Sequence, residues 1–283
     1  MPKEKIIIIY HGDCHDGFGG AFAAWKKFGD SAAYIPAHDR AQPEIDITGK
    51  ETYIIDFSYP KETLLELEQK AERLIVLDHH ISAKESVQAV REHIFDNNLS
   101  GAGIAWKYFH PETQIPRLLA YVQANDLWRF TLPHSREVGK FLSTVNFSFS
   151  DWEKLAQRFE NENDLRSITE HGEIYCEYFD FICDDLVKQA ELVEFDGHKV
   201  LAVNAPRIFR SELGHKLALK HPPFAIVWGE HQGIWQFSLR GDGSIDLTEI
   251  AGRYGGGGHK NASAFRLPLD APLPFKIIGK LDI

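Results

Sequence analysis

The sequence predicts an α/β protein in which a mostly parallel sheet is covered by helices. Three observations support this fold class. Short apolar runs alternate with amphipathic segments in the first half, polar clusters follow three of those runs, and a second set of strand-like runs begins near residue 193. We predict an N-terminal domain with a helical connector at residues 1–190 and a smaller α/β C-terminal domain at residues 191–283.

The first half alternates between predicted strands and predicted helices. The strands are Ile6–Tyr10, Tyr53–Asp56 and Leu74–Leu77, and the helices are Gly17–Phe28 and Lys61–Ala71. From Ile104 onward the apolar spacing is mostly helical. The stretch 164–192 has no proline and has Gly172 as its only glycine, which predicts a long connecting helix.

The second half is predicted from shorter apolar runs. The strands are Lys199–Val203, Phe224–Trp228 and Trp235–Leu239, with a helix near Glu212–Lys220. Four consecutive glycines, Gly255–Gly258, then lie between the amphipathic segment Asp246–Tyr254 and the run Ala262–Phe265.

The amino-acid composition argues against several classes of function. The formal net charge of −10 argues against binding to long DNA or RNA, which relies on many lysine and arginine contacts to phosphates. The three cysteines form no CxxC pair, so neither a disulfide framework nor a zinc knuckle is indicated. No apolar stretch is as long as a membrane-spanning helix, and we expect a cytoplasmic protein.

Aspartate and histidine side chains follow the predicted strands. His11, Asp16, Asp56 and His79 lie at or just beyond the ends of apolar segments, and a parallel sheet would bring such residues to one edge. Clustered aspartates and histidines suit a site for two divalent ions that act on a phosphate. Asp126 follows the helical stretch 117–125, and a helix N-capping role would explain it equally well.

The order of these motifs resembles the DHH phosphoesterase family. Asp78-His79-His80 follows an apolar strand, and the segment His11 to Gly17 reads HGDCHDG. The glycine run ending in His259 resembles the signature of the associated DHHA1 domain. Within the family, the chain is most similar to small oligoribonucleases and nucleotide phosphodiesterases.

The resemblance implies a role for each matching residue. His11 and Asp56 would hold one divalent ion, and Asp56 would bridge to a second ion held by Asp16, His79 and Asp126. The catalytic residues would be His80, which faces the scissile phosphate or supports the metal ligands, and Asp78, which fixes the tautomer of a histidine. The expected ions are manganese, with magnesium, cobalt or zinc as alternatives.

One position departs from the family pattern, because Cys14 stands where a metal-binding aspartate is usual. Four explanations remain open. In the first, Cys14 binds a softer metal as a thiolate, and in the second, Asp13 replaces it as the ligand. In the third, only one ion is held tightly, and in the fourth, Cys14 is merely a small buried residue. For His15, which has no counterpart, we expect an exposed position in a loop.

The glycine run predicts a binding site for phosphate. Consecutive glycines allow the backbone to approach an anion and to direct several N–H groups at it, so Gly256, Gly257, Gly258 and His259 are candidate substrate-binding residues. Arg240 could offer a bidentate guanidinium to a terminal phosphate, although an ordinary surface ion pair is also open. We expect these groups to hold the far end of a short substrate across an interdomain cleft.

The expected function is metal-dependent hydrolysis of short oligoribonucleotides or linear dinucleotides to mononucleotides, with no role for a membrane. Hydrolysis of cyclic nucleotides, nucleotide bisphosphates or pyrophosphate is an alternative with the same chemistry. A catalytically silent nucleotide sensor and an RNA-binding module are alternatives of other classes. The sequence leaves open whether the chain forms a homodimer.

Overall fold

The computed structural model describes residues 5–12, 14–38, 45–231 and 233–280. It divides into two compact units, Met1–Cys176 and Glu177–Ile283. Each unit contains its own sheet. Among the described residues, no helix is both long enough and apolar enough to cross a lipid bilayer.

The sheet of the first unit is parallel throughout. Its strands lie in the order β2-β1-β3-β4-β5. They are β1 (Ile6–His11), β2 (Ala32–Ala37), β3 (Glu51–Ile55), β4 (Arg73–Asp78) and β5 (Glu92–Phe95). The central strands are apolar along most of their length because helices cover both faces of the sheet. In this arrangement the carboxyl ends of β1, β3 and β4 meet at one edge.

Eight helices are described before β6. They are α1 (His15–Phe28), α2 (Lys61–Lys70), α3 (Lys84–Val87), α4 (Gly101–Phe109), α5 (Arg117–Asp126), α6 (Ser135–Leu142), α7 (Phe149–Phe159) and α8 (Glu162–Val187). One core, with Phe18, Leu119 and Trp152, lies on one side of the sheet, and a second, with Ile9 and Leu64, lies on the other. The division between the two units falls inside α8.

The sheet of the second unit is mixed, with the order β10-β11-β9-β8-β7-β6-β12. Its strands are β6 (Glu191–Phe195), β7 (His198–Asn204), β8 (Phe224–His231), β9 (Ile234–Gly241), β10 (Gly257–His259), β11 (Ala262–Pro268) and β12 (Lys276–Gly279). Among the described strands of this sheet, only β7 and β8 pair in parallel. The helices are α9 (Arg210–Lys220) and α10 (Leu247–Arg253).

The structure confirms the predicted α/β fold class and its mostly parallel first sheet. The edge strands β2 and β5 were not predicted. β2 is only partly buried and contains Pro36, and β5 is only four residues long and begins with Glu92 and His93. The long helix ends at Val187, earlier than predicted, because residues 191 and 192 belong to β6.

Candidate metal centre

The centre lies at the carboxyl edge of the first sheet. His11 ends β1, Asp56 directly follows β3, and Asp78 ends β4 and precedes His79. Because these three strands are neighbours in the sheet, the residues at their ends are brought together although they are far apart in sequence.

Asp56 stands between two histidines. Its Oδ2 lies 3.3 Å from Nδ1 of His11, and its Oδ1 lies 3.2 Å from Nε2 of His79. The side chain is buried, and its backbone N–H donates to Leu77 O at 2.9 Å. The φ angle of Asp56 is +66°, which a non-glycine residue adopts at a cost. The carboxylate is therefore directed to both histidines by a constrained backbone.

Asp16 is held by the start of a helix that the sequence reasoning did not connect to the site. The backbone N–H groups of Gly101 and Ala102, at the start of α4, donate to its Oδ2 and Oδ1 at 2.6 and 3.0 Å. A helix N-terminus favours a negative charge at this position. The available signal was Ser100 before a run of small residues, because Ser100 caps α4 by accepting from Gly103 N.

Three carboxylates converge on one ring nitrogen of His79. Its Nε2 lies 3.2 Å from Asp56 Oδ1, 3.6 Å from Asp126 Oδ2 and 3.7 Å from Asp16 Oδ2. Burial, together with the charges of Asp56 and Asp126, raises the pKa of Asp16 well above its usual range. A divalent cation would relieve this repulsion, and carboxylate and imidazole donors suit such an ion. The residues present therefore fit a metal ion.

Asp126 is brought to this group by the end of a helix. It is the last residue of α5, so the alternative that it caps the start of a helix is wrong. About a quarter of its side chain surface is exposed, whereas Asp16 and His79 are almost fully buried. Asp126 thus lies on the solvent side of the carboxylate group.

Asp78 orients the two histidines that follow it. Its Oδ1 accepts hydrogen bonds from the backbone N–H of His79 at 2.7 Å and from that of His80 at 3.2 Å. It also lies 2.8 Å from Nδ1 of His80. Since the carboxylate can only accept, this contact places the His80 proton on Nδ1. Asp78 therefore acts on the site through its neighbours.

Cys14 lies beside His11 and Asp56. One candidate ligand atom from each of the three residues lies within 4.8 Å of the other two. Burial raises the pKa of the Cys14 thiol, so without a cation the sulfur is protonated. The alternative ligand Asp13 lies outside the described residues.

The expectation that His15 is exposed in a loop is wrong. His15 is the first residue of α1, and its Nε2 donates to Leu142 O at 2.7 Å. Its ring packs against Phe147 and Trp152, with ring centroids 5.1 and 6.5 Å apart. Burial lowers its pKa, so the ring is neutral and serves packing.

In the second unit, Arg240 is partly buried and lies near the positive charge of Arg210. Arg240 lies in β9, and its Nη2 donates to Ser211 Oγ at 3.0 Å. Burial and the charge of Arg210 lower the pKa of Arg240 to about 9, so the guanidinium is charged at neutral pH. Gly214 makes room for it, because a Cβ there would lie 2.8 Å from Arg240 Cγ. Arg210 is the first residue of α9, and the sequence did not predict it as part of this group.

The glycine run forms part of the sheet next to this arginine. Gly257–His259 is strand β10, in which His259 pairs with Ala262, and Ala262 pairs with Arg240. Directly opposed residues of antiparallel strands point to the same face, so His259 and Arg240 share one face of the sheet. A Cβ at Gly256 would lie 2.2 Å from Ala264 O, which gives that glycine a structural role as well.

Two curated proteins are similar in sequence. The uncharacterized protein R106 of Acanthamoeba polyphaga mimivirus is 32% identical, over 97% of this chain and 70% of that protein. Oligoribonuclease NrnB of Bacillus subtilis is 26% identical over 55% of this chain, and the match spans only 40% of NrnB. No family model matches the chain.

Solved structures share the fold. The DHH domain of a member of the s1p family of ribosomal proteins has a TM-score of 0.55 at 15% identity, over 92% of this chain and 82% of that chain. This chain has the same fold, and it carries the Asp78-His79-His80 motif at the end of β4. The chain therefore has the fold of DHH-domain proteins. RecJ of Thermus thermophilus in complex with Mn²⁺ has a TM-score of 0.53 at 15% identity, over 94% of this chain and 50% of that chain.

Proposed function

We propose that this protein is a divalent-metal-dependent phosphodiesterase of the DHH family that hydrolyses short oligoribonucleotides or linear dinucleotides to mononucleotides. One observation carries the proposal: three carboxylates converge within 3.7 Å of His79 Nε2 at the carboxyl edge of a parallel sheet. A cation would stabilise such a concentration of negative charge, and two-metal sites occur in phosphatases, polymerases and nucleases.

The proposed ligands fall into two groups that share Asp56. His11 and Asp56 would hold one ion, with Cys14 as a further candidate, and Asp16, Asp56, His79 and Asp126 would hold the other. Asp56 fits the shared position because its two oxygens face different histidines. Divalent ions at such a site supply Lewis-acid chemistry to the phosphate ester and to water. Manganese is our choice, since the RecJ neighbour contains it.

The chain's own groups then position the ester. Asp78 holds the proton of His80 on Nδ1, so we propose that His80 contacts the scissile phosphate through Nε2. The N-terminus of α4 keeps Asp16 in place through two backbone N–H groups. These contacts would fix the ligand geometry before substrate binds, which lowers the cost of reaching the transition state.

The second unit would recognise a terminal phosphate, in a DHHA1-like role. Arg240 is charged, partly buried and close enough to Arg210 for mutual repulsion, which an anion would relieve. The N–H of Gly256 already donates to Ala251 O at 2.9 Å, so Gly256 shapes the turn before β10. The shared sheet face adds His259, and Gly257 and Gly258 precede it in β10, the strand at one end of the described sheet order. We therefore propose Arg240, His259 and these glycines as substrate-binding residues.

A substrate panel tests this function. The metal-loaded full chain would be incubated with linear dinucleotides, a cyclic dinucleotide, a nucleotide bisphosphate and pyrophosphate, and kcat/KM would be compared. We expect the linear dinucleotides to give the highest value and a chelator to abolish turnover. A preference for pyrophosphate or bisphosphate would replace the proposed substrate. Nucleotide binding without any hydrolysis would favour the silent sensor.

A further inference from the structure

The turn after α5 has a tryptophan at the position that adopts the left-handed backbone conformation. Trp128 N donates to Asn125 O at 3.2 Å and Arg129 N donates to Ala124 O at 2.9 Å, which is the Schellman pattern at a helix C-terminus. The residue in the left-handed conformation is Trp128, with φ of +54°. Glycine is the residue that normally occupies this position, because a side chain is disfavoured there.

Trp128 is not compensated by burial in the core. It is 43% exposed, and Phe130 beside it is 42% exposed. The two rings meet edge to face, with centroids 4.8 Å apart and an interplanar angle of 69°. A strained residue with a large exposed ring points to a function outside the fold itself.

The turn directly follows a candidate metal ligand. Trp128 is two residues after Asp126, and two residues of chain span at most about 7 Å. Its position is also fixed, because Arg129 Nη1 donates to Asn98 O at 3.0 Å, in the segment that leads to Ser100 and α4. The turn that carries the aromatic pair is therefore linked to the segment that leads into α4, whose first residues hold Asp16.

Another exposed apolar side chain directly follows a residue of the same centre. Ile81, the residue after His80, is 47% exposed. Apolar and aromatic surface contributes nothing to binding a bare phosphate or pyrophosphate. It does favour the flat faces of nucleobases, which stack on aromatic side chains without regard to sequence.

We propose that Trp128, supported edge-on by Phe130, is a stacking platform for a nucleobase of the substrate held at the metal centre. The proposal rests on the proposed phosphodiesterase function and assigns its substrate class: phosphodiesters that carry a base next to the scissile phosphate. Trp128 acts as a specificity-determining residue and takes no part in the chemical step.

The test compares two substrates that differ only in their bases. The variant is Trp128→Gly, because glycine suits the left-handed turn and should leave the melting temperature unchanged or higher. We expect its kcat/KM for a linear dinucleotide to fall about 10- to 100-fold, the usual scale for losing one base stack. The loss for the abasic analogue with the same ribose-phosphate backbone should be much smaller, and Trp128→Phe should restore most of the activity on the dinucleotide.

Tyr175→Ala is the matched control, because Tyr175 is 39% exposed on α8 and follows no metal ligand. It should behave as wild type on both substrates. Equal losses for Trp128→Gly on the dinucleotide and the abasic analogue, or no loss on either, would overturn the stacking proposal while hydrolysis itself stands. Should the chain hydrolyse neither substrate, the proposed function fails. Calorimetric binding of the same two ligands to wild type and Trp128→Gly then decides the stacking role.

Discussion

Gly101→Ala should strongly reduce hydrolysis although it changes no metal ligand. A Cβ at Gly101 would lie 2.5 Å from Asp56 Cβ and 2.7 Å from its Oδ1. Favourable contacts between carbon atoms begin at about 3.5 Å, so α4 or Asp56 must move by roughly 1 Å. The same residue donates its N–H to Asp16 at 2.6 Å, so movement of α4 also disturbs a second ligand. A misplacement of about 1 Å can reduce catalysis on the order of 100-fold.

Gly103→Ala is the matched control in the same helix. Its new Cβ would lie 2.1 Å from Oε1 of Gln123, so Gln123 must turn and give up the hydrogen bond it accepts from Ser100 N, but no metal ligand is crowded. Both variants add one methyl group near the start of α4, so changes in helix propensity largely cancel in the comparison. The measurements are kcat/KM on a linear dinucleotide with manganese, manganese affinity by calorimetry, and melting temperature.

We expect the Gly101→Ala variant to lose about 100-fold in kcat/KM relative to the Gly103→Ala variant, with weaker manganese binding. Crowding in a packed site typically costs about 1–3 kcal/mol, so both proteins should remain folded. Equal activity and equal metal affinity in the two folded variants would refute the inference that Asp56 and the start of α4 together define the centre.

Three further predictions concern the metal and the phosphate. Cys14→Asp should shift metal preference from zinc toward manganese if the thiolate is a ligand, and metal analysis that finds an unchanged order would remove Cys14 from the site. Burial opposes protonation of His11 and His79, but pairing with Asp56 raises their pKa values to about 11 and about 10 without metal. Because metal ligation needs neutral imidazole, manganese binding at pH 7 should release protons and should strengthen as pH rises toward 10. Calorimetry in two buffers of different ionisation enthalpy measures this release, and its absence would contradict histidine ligation. Arg240→Lys should raise KM for a dinucleotide about tenfold. Lysine has no planar guanidinium, so it cannot contact Ser211 and a phosphate with paired N–H donors. An unchanged KM would exclude a role for Arg240 in binding phosphate.

The first sheet could be predicted from sequence because its central strands are continuous apolar runs. β1, β3 and β4 are buried on both faces, and their polar successors could be grouped by the rule for parallel sheets. The edge strands β2 and β5 face solvent in part. β2 contains Pro36, which is typical of a strand edge rather than of a central strand, and β5 is only four residues long. Local sequence therefore predicts the centre of the sheet better than its edges.

Details of the candidate site depended on contacts that local sequence does not encode. The N-terminus of α4 reaches Asp16 across 85 residues of sequence, and only tertiary packing connects them. The backbone of Asp56 adopts a left-handed conformation that its residue type does not require. His15 was expected to be exposed, but α6 and α7 cover it through Leu142 and Trp152. In each case the deciding partner lies on a distant element.

Replacement of the shared carboxylate tests the central claim most directly. Asp56→Asn keeps the side chain shape, and asparagine tolerates the φ of +66°, so the variant should fold with a normal melting temperature. Manganese content and kcat on a linear dinucleotide would be measured for both proteins. We expect the variant to bind less manganese than wild type and to retain less than about a tenth of its turnover, the scale of losses around metal ligands. A folded Asp56→Asn protein with wild-type manganese content and turnover would contradict the assignment of this cluster as the catalytic metal centre.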